Sequence, residues 1–347
     1  MYAKLKNVAI SGIVVCTGNK PIDVYNFFST DVEAKKTISI TGISSLKHVK
    51  DDITASDLGV RASEVLLDCQ NLSKEELDAV IFVSQTPDYK IPMTSFIIQN
   101  KLGLSKHTYC LDIPVGCSGY IYGLYTSSLL INTGSCRKVL LISGDTISKL
   151  INKKYKSLIS LFGDAVAATL IEYRKDGFIS FMFESDGSKF DKIIVPAGGF
   201  RYPTCDKSKV VYTDEFGNSR TDEDLFMDGM DILQFAISSV PRLISKHLLK
   251  EQKAIQDINY FLLHQANKFI IELICKKMKL KKEQVPIVLD GYGNTGSASI
   301  PLVVSASDID FTDKTVLMCG FGVGLSVASA ITKIDSIVTI NPFAYDR

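Results

Sequence analysis

Apolar residues in this chain gather in short continuous runs, separated by longer stretches of mixed polarity. The runs at 77–85 (LDAVIFVSQ), 138–143 (KVLLIS), 165–171 (AVAATLI), 260–263 (YFLL), 287–289 (IVL), 315–319 (TVLMC) and 325–331 (LSVASAI) predict strands buried on both faces. Between them lie helical patterns. The stretch 120–132 follows a glycine and ends before Thr133 and Gly134, a C-terminal stop. The stretch 268–279 is amphipathic, with Phe269, Leu273 and the Lys276–Lys277 pair on different faces. Strands alternating with helices predict a layered α/β fold.

The runs also repeat. Residues 138–144 (KVLLISG) and 162–169 (FGDAVAAT) recur as 314–320 (KTVLMCG) and 321–328 (FGVGLSVA), and the strand ending at Gln85 matches the one ending before His264. The offset is 176 residues for the first run, 159 for the second and about 178 for the strand ends, close to half the chain, as a duplicated fold gives. A chain of 347 residues is also long for one hydrophobic core. We therefore expect two halves, 1–173 and 174–347. The polar stretch 202–224 reads as a surface excursion, and 334–347 lies beyond the last repeat strand.

Composition narrows the function. Hydrophobic residues make up 46% and charged residues 22%, as in ordinary globular proteins, and 39 basic against 38 acidic residues leave no global field to recruit nucleic acid or an anionic membrane. No apolar run approaches the roughly 20 residues that span a bilayer. The first 16 residues lack a basic–apolar–small leader pattern. The eight cysteines (16, 69, 110, 117, 136, 205, 275 and 319) form no C-x-x-C pair and read mostly as buried free thiols in a reducing compartment. A cytoplasmic protein without membrane insertion is expected.

Four segments carry candidate chemistry. In 111–119 (LDIPVGCSG), Cys117 sits on a glycine-flanked turn before a helix, where free N–H groups and the helix dipole favour thiolate and small neighbours admit a substrate. In 261–267 (FLLHQAN), His264 follows a buried strand, where α/β folds place functional groups. The other histidines, 48, 107 and 247, lie in Lys- or Ser-rich segments read as surface, and no zinc-type spacing occurs, so no metal site is expected. The segment 288–301 contains Asn294 and a G-x-G-x-x-G string at 291, 293 and 296. A dinucleotide turn needs an acid at the end of the next strand, which here ends in Cys319 and Gly320. Last, the turn 321–324 (FGVG) leaves backbone N–H groups free for an oxyanion. Cys, His and Asn together describe thioester chemistry. Papain-like proteases use the same types, but with the Cys near the N-terminus and with disulfides.

These strings resemble one family, the β-ketoacyl-acyl-carrier-protein (ACP) synthases III of the thiolase superfamily. The matching motifs are 115–119 (VGCSG), 162–164 (FGD), 264–267 (HQAN), 293–295 (GNT) with 298–301 (ASIP), and 321–324 (FGVG), in family order between about 75 and 330. The resemblance implies a thiolase-like α/β fold, two duplicated βαβαββ halves in five layers αβαβα, forming a homodimer through a shared sheet. It implies that Cys117 takes an acyl group from acyl-CoA or acyl-ACP and that malonyl-ACP then decarboxylates, with no further cofactor. His264 and Asn294 would hold the enolate, and the backbone N–H groups of Cys117 and Val323 the tetrahedral oxyanion. Val323 stands where the family has glycine, a change a main-chain donor tolerates. The Trp and Arg that grip CoA in the family are missing: the chain has no Trp, the corresponding stretch is 35–42 (KKTISITG), and Met230 replaces an expected Asn. Lys156 is one retained basic contact, and Lys268, Lys276 and Lys277 are what remains of the family's basic face for ACP. Two alternatives within the fold are acyl transfer to an alcohol or amine without condensation, and a non-catalytic subunit of a heteromeric synthase, which usually loses these catalytic residues. A degradative thiolase needs a second Cys where this chain has Gly320; Cys319 is one residue early and points the other way on a strand.

Overall fold

The computed structural model describes residues 1–346. In chain order its main elements are β1 (Tyr2–Thr17), α1 (Asp31–Thr41), α2 (Ala55–Gln70), β2 (Ala79–Val83), α3 (Thr94–Leu102), β3 (Tyr109–Ile113), α4 (Gly119–Asn132), β4 (Lys138–Asp145), α5 (Lys156–Ile159), β5 (Ala165–Ser185), α6 (Gly229–Lys250), β6 (Tyr260–Leu263), α7 (Lys268–Met278), α8 (Ser299–Ala306), β7 (Lys314–Gly322) and β8 (Ser326–Ile334).

The strands run β6-β7-β8-β5-β4-β2-β3, and β1 lies antiparallel to β5 from Tyr2↔Met182 to Thr17↔Ala165. The two flanks mirror each other. Strand β4 is parallel to β2 and antiparallel to β5, while β7 is parallel to β6 and antiparallel to β8. The repeated runs are thus equivalent strands in two copies of one topology. Strands β1 and β5 pass through both copies, so residue 173 falls inside one continuous strand.

Apolar side chains form three cores. One holds Tyr120, Ile121 and Leu124 of α4 with Ile300, Leu302 and Val303 of α8, between the flanks. A second packs α6 and α7 on the outer face of β6–β8, and a third packs α2 and α3 on the outer face of β2 and β4. The layers therefore run α-β-α-β-α. Helix α4 is covered on both faces, so its sequence shows no amphipathic stripe, and its buried Ser127 and Ser128 hydroxyls bond the carbonyls four residues back.

The run at 287–289 and the tail depart from the sequence reading, while the excursion at 202–224 follows it. The run 287–289 is not a strand; Val288 instead gives its N–H to the Gln265 side chain at 2.9 Å. The tail has a place: Val338–Thr339 and Phe343–Ala344 pair in parallel with β1 and cover its edge. The excursion at 202–224 is largely exposed and carries a two-strand hairpin, Tyr212–Thr213 with Ser219–Arg220. Among the described residues no helix is long and apolar enough to cross a membrane.

Candidate active site

Cys117 lies one residue before the N-cap of α4, half-buried. The end of β7 closes over it. A methyl group at Gly322 would sit 2.8 Å from the Cys117 sulfur, and one at Gly320 would sit 2.8 Å from the Cys117 carbonyl, so only glycines let the strand approach this closely. The adjoining turn is pinned by Ser326, whose hydroxyl contacts the Ser118 hydroxyl at 2.7 Å and donates to the Val323 carbonyl at 2.9 Å. This brings the Val323 N–H to the sulfur. Burial pushes the Cys117 thiol up to about 11, against the N–H groups of Val323 and of Cys117 itself, and the buried Asp145 carboxylate adds to the rise. The expected drift towards thiolate is therefore outweighed in this enclosed turn. The glycines flanking Cys117 also serve packing: Val83 fills the space a side chain at Gly119 would take, and Gln85 and Val323 fill that at Gly116.

His264 leaves the end of β6, where its N–H bonds the Cys319 carbonyl at 2.8 Å and its ring meets Phe321 edge-on at 5.3 Å. The next three residues explain their own identities. Gln265 locks the turn, donating to the Leu263 carbonyl at 2.7 Å and accepting from Val288. Ala266 is buried, and the Asn267 side chain caps α7 by accepting the Ile270 N–H at 2.8 Å. The His264 Nδ1 lies 2.7 Å from the Ser299 hydroxyl. Burial pulls this imidazole down to about 3, and a backbone hydrogen bond with Gly296 offsets only part of that. His264 is thus neutral at physiological pH. We take Ser299, whose oxygen receives the Gln265 N–H at 3.4 Å, as the donor to Nδ1, which assigns the ring proton to Nε2.

Asn294 is held by main chain on both sides: its N–H bonds the Leu161 carbonyl at 2.8 Å and its carbonyl receives the Gly163 N–H at 3.1 Å. The adjacent Asp164 anchors that segment, accepting from the N–H of Val49 and from both the N–H and the hydroxyl of Ser148. The Asn294 Oδ1 accepts the Gly296 N–H at 3.0 Å, so the amide NH2 is turned outward as a donor. Gly296 therefore contacts both side chains, and neutral His264 and Asn294 each present a donor.

The lysines lie apart from this centre. Lys156 opens the short α5 and is partly exposed. Lys268 begins α7 near Glu272, at 3.9 Å, and Lys276 is exposed. Lys277 is engaged: its Nζ donates to the Ile237 carbonyl at 2.9 Å. Pro241 in α6 has no N–H for that carbonyl four residues back, so Lys277 fills the vacancy. Two histidines read as surface are buried instead. His48 contacts the Phe162 carbonyl at 3.0 Å, and His247 sits between the hydroxyls of Ser180 and Ser329. Among the described residues the buried thiols are Cys16, Cys136 and Cys319, fewer than expected. Among the described residues no group of three or more His, Cys, Asp or Glu could hold a metal.

Known proteins place this geometry. Residues 111–187 match the family model of 3-oxoacyl-[acyl-carrier-protein] synthase III, and 248–334 match that of its C-terminal region. The whole chain is 34% identical to 99% of a putative 3-oxoacyl-[acyl-carrier-protein] synthase 3 of Campylobacter jejuni. It belongs to the β-ketoacyl-ACP synthase III family. A second relative, the β-ketoacyl-[acyl-carrier-protein] synthase III of Fusobacterium nucleatum, is 33% identical over 84% of this chain and 88% of its own. The fold superposes on the crystal structure of a 3-oxoacyl-(acyl-carrier protein) synthase from Burkholderia xenovorans with a TM-score of 0.92, 35% identity and 99% of each chain covered. The chain is accordingly a thiolase-fold, acyl-transferring condensing enzyme of the synthase III type. Ser299, Gly296 and Gly322, which shape the site, stood inside or beside its motifs, but only the fold shows what they touch.

Proposed function

We propose that Cys117 is the nucleophile of a decarboxylative Claisen condensation in which His264 and Asn294 stabilise the enolate. The observation that carries this reading is that His264 and Asn294 both offer donors, fixed by Ser299 and Gly296, while among the described residues the hydrogen bonds to the Cys117 thiol come from backbone N–H groups. A thiolate–imidazolium pair is disfavoured when the imidazole titrates near 3 and the thiol near 11.

In the first half-reaction the Cys117 sulfur bonds the acyl carbon of a thioester, the carrier's sulfur leaves, and the thiol proton goes to that carrier. In the second, malonyl-ACP loses CO2. The electron pair moves into an enolate whose oxygen accepts from His264 Nε2 and the Asn294 amide. The enolate carbon attacks the acyl carbonyl. The resulting oxyanion faces the N–H groups of Cys117 and Val323, and its collapse frees the 3-oxoacyl product and a Cys117 thiolate that takes a proton from solvent. These steps use only the chain's own groups, with no cofactor. Gly320 faces the Cys117 turn while Cys319 is buried away from it, its thiol pushed far up, so the second Cys of a degradative thiolase is absent from that position.

The finer readings have separate support. ACP would approach α7 through Lys268 and Lys276, with Lys277 contributing less because it is bonded to α6, and Lys156 would offer one basic contact to the carrier arm. A homodimer would form along β3, an edge strand flanked by the exposed Phe96 and Tyr109. We also propose 1–173 and 174–347 as the two halves of the duplication, with β1 and β5 shared between them, and a cytoplasmic enzyme. The test is a panel of acyl-CoA and acyl-ACP donors, read as covalent mass on the Cys117 peptide. We expect loading from at least one class; if no donor labels Cys117, the assignment is lost.

A further inference from the structure

Asp145 ends β4 inside the molecule, 2% exposed, and the mechanism above gives it no role. Its Oδ1 accepts from the Gln85 N–H at 2.6 Å, the Ser84 hydroxyl at 2.9 Å and the Thr86 hydroxyl at 3.3 Å. These three donors come from the end of β2, and Gln85 packs against the nucleophile turn: a methyl at Gly116 would lie 2.2 Å from its Oε1. The other carboxylate oxygen faces the opposite wall, where a methyl at Gly296 would lie 3.1 Å from Oδ2. Gly296 is the residue that contacts both the Asn294 side chain and the His264 ring. One buried carboxylate is thus bonded to the segment beside the nucleophile turn and packs next to the glycine that contacts both His264 and Asn294. The groups bonded to it are neutral, and among the described residues no ion pair is recorded for it. Burial raises its pKa, while the donors on Oδ1 favour the carboxylate.

We propose that Asp145 is a positioning residue that fixes the Asn294–Gly296 loop against the end of β2 and imposes its negative charge on the Cys117 sulfur. This rests on the reading of Cys117, His264 and Asn294 given above. Asp145 adds to the burial that keeps the resting nucleophile a thiol. It also backs the loop that decarboxylation needs. The two effects separate: removing the charge frees the thiol, while loosening the loop slows the malonyl step.

The experiment is Asp145→Asn in the full-length enzyme. Iodoacetamide alkylation of Cys117 at pH 8, read by mass, should become about tenfold faster, as a fall of about one unit in the thiol pKa gives. CO2 release from malonyl-ACP by the acyl-enzyme should fall roughly ten- to a hundredfold. Acyl loading should be no slower than in the wild type. A packing defect alone would not speed alkylation at Cys117 while Cys16 and Cys319, both buried, stay unlabelled; labelling there would mark unfolding. Should the variant not fold, Asp145→Glu keeps the charge and lengthens the side chain, so slow alkylation with impaired CO2 release is expected. Unchanged alkylation in Asp145→Asn, or wild-type CO2 release in the variant that folds, overturns the proposal. A wild type that takes no acyl group sinks the parent reading instead, and the alkylation arm, which needs no substrate, still decides the charge effect of Asp145.

Discussion

Ser299→Ala separates the two half-reactions at a single hydroxyl. Ser299 lies 2.7 Å from the Nδ1 of His264, a ring 1% exposed, and no solvent can replace a lost partner there. Removing one partner of a buried hydrogen bond costs about 1–3 kcal/mol. The ring can recover by shifting its proton to Nδ1, but Nε2 then becomes an acceptor facing the enolate oxygen. Either way the penalty falls where that oxygen develops charge, and at about 1.4 kcal/mol per tenfold it predicts a five- to roughly hundredfold slower decarboxylation. Cys117 is untouched, because its support comes from Val323 and the turn into α4. The assay loads wild type and variant with the same acyl donor, confirms equal labelling by mass, then measures single-turnover CO2 release from malonyl-ACP. An equal loss in acyl loading, or unchanged CO2 release, would refute the assignment of Ser299 and the tautomer built on it.

Three further outcomes follow from the same contacts. Gly322→Ala puts a methyl 2.8 Å from the Cys117 sulfur, at a backbone φ of +151°, and should cut the rate of acyl loading at least about tenfold with the fold retained by circular dichroism. Lys276→Glu should raise KM for ACP-bound substrates but not for a small thioester. Lys277→Met instead should cost up to about 1 kcal/mol in urea denaturation, because the Ile237 carbonyl loses its donor. His247, fully buried, titrates near 4 because burial disfavours its charge. Its folded pKa lies below the unfolded value of about 6.5, so its share of stability is complete above that pH and is lost as pH falls towards 4. Between pH 7 and 5 the wild type should therefore lose about 2 kcal/mol more than His247→Gln in urea titrations; parallel losses would contradict the burial reading.

The duplicated fold was legible because its strands are buried on both faces and so read as unbroken apolar runs. Strands that cross polar ground were not. β1 begins with Lys4 and Lys6 at exposed positions, and β5 continues through Arg174, Lys175 and Asp176 before its second buried stretch, so neither has one hydrophobic pattern along its length. The tail strands, two residues each, exist only because β1 offers an edge. A three-residue apolar run at 287–289 was too short to separate a strand from a buried loop. At the site, Cys117, His264 and Asn294 stood out because each lies on a loop in glycine-rich or strand-ending context. Their surroundings did not. Ser180 and Ser329 satisfy His247 from strands 67 and 82 residues away, and Asp145 reaches Gly296 across the interior. The thiol pKa followed the same logic: local sequence shows the helix and its N–H groups, whereas the burial that outweighs them is a property of the packed fold.

The division of labour among the three residues is open to one direct measurement. Wild type, His264→Ala and Asn294→Ala are acylated on Cys117, and CO2 release and 3-oxoacyl product are then followed in a single turnover with malonyl-ACP. The account predicts acyl loading within a few-fold of wild type in both variants and decarboxylation at least roughly a hundredfold slower. Variants that release CO2 at the wild-type rate, or that lose acyl loading and decarboxylation in equal measure, would contradict it.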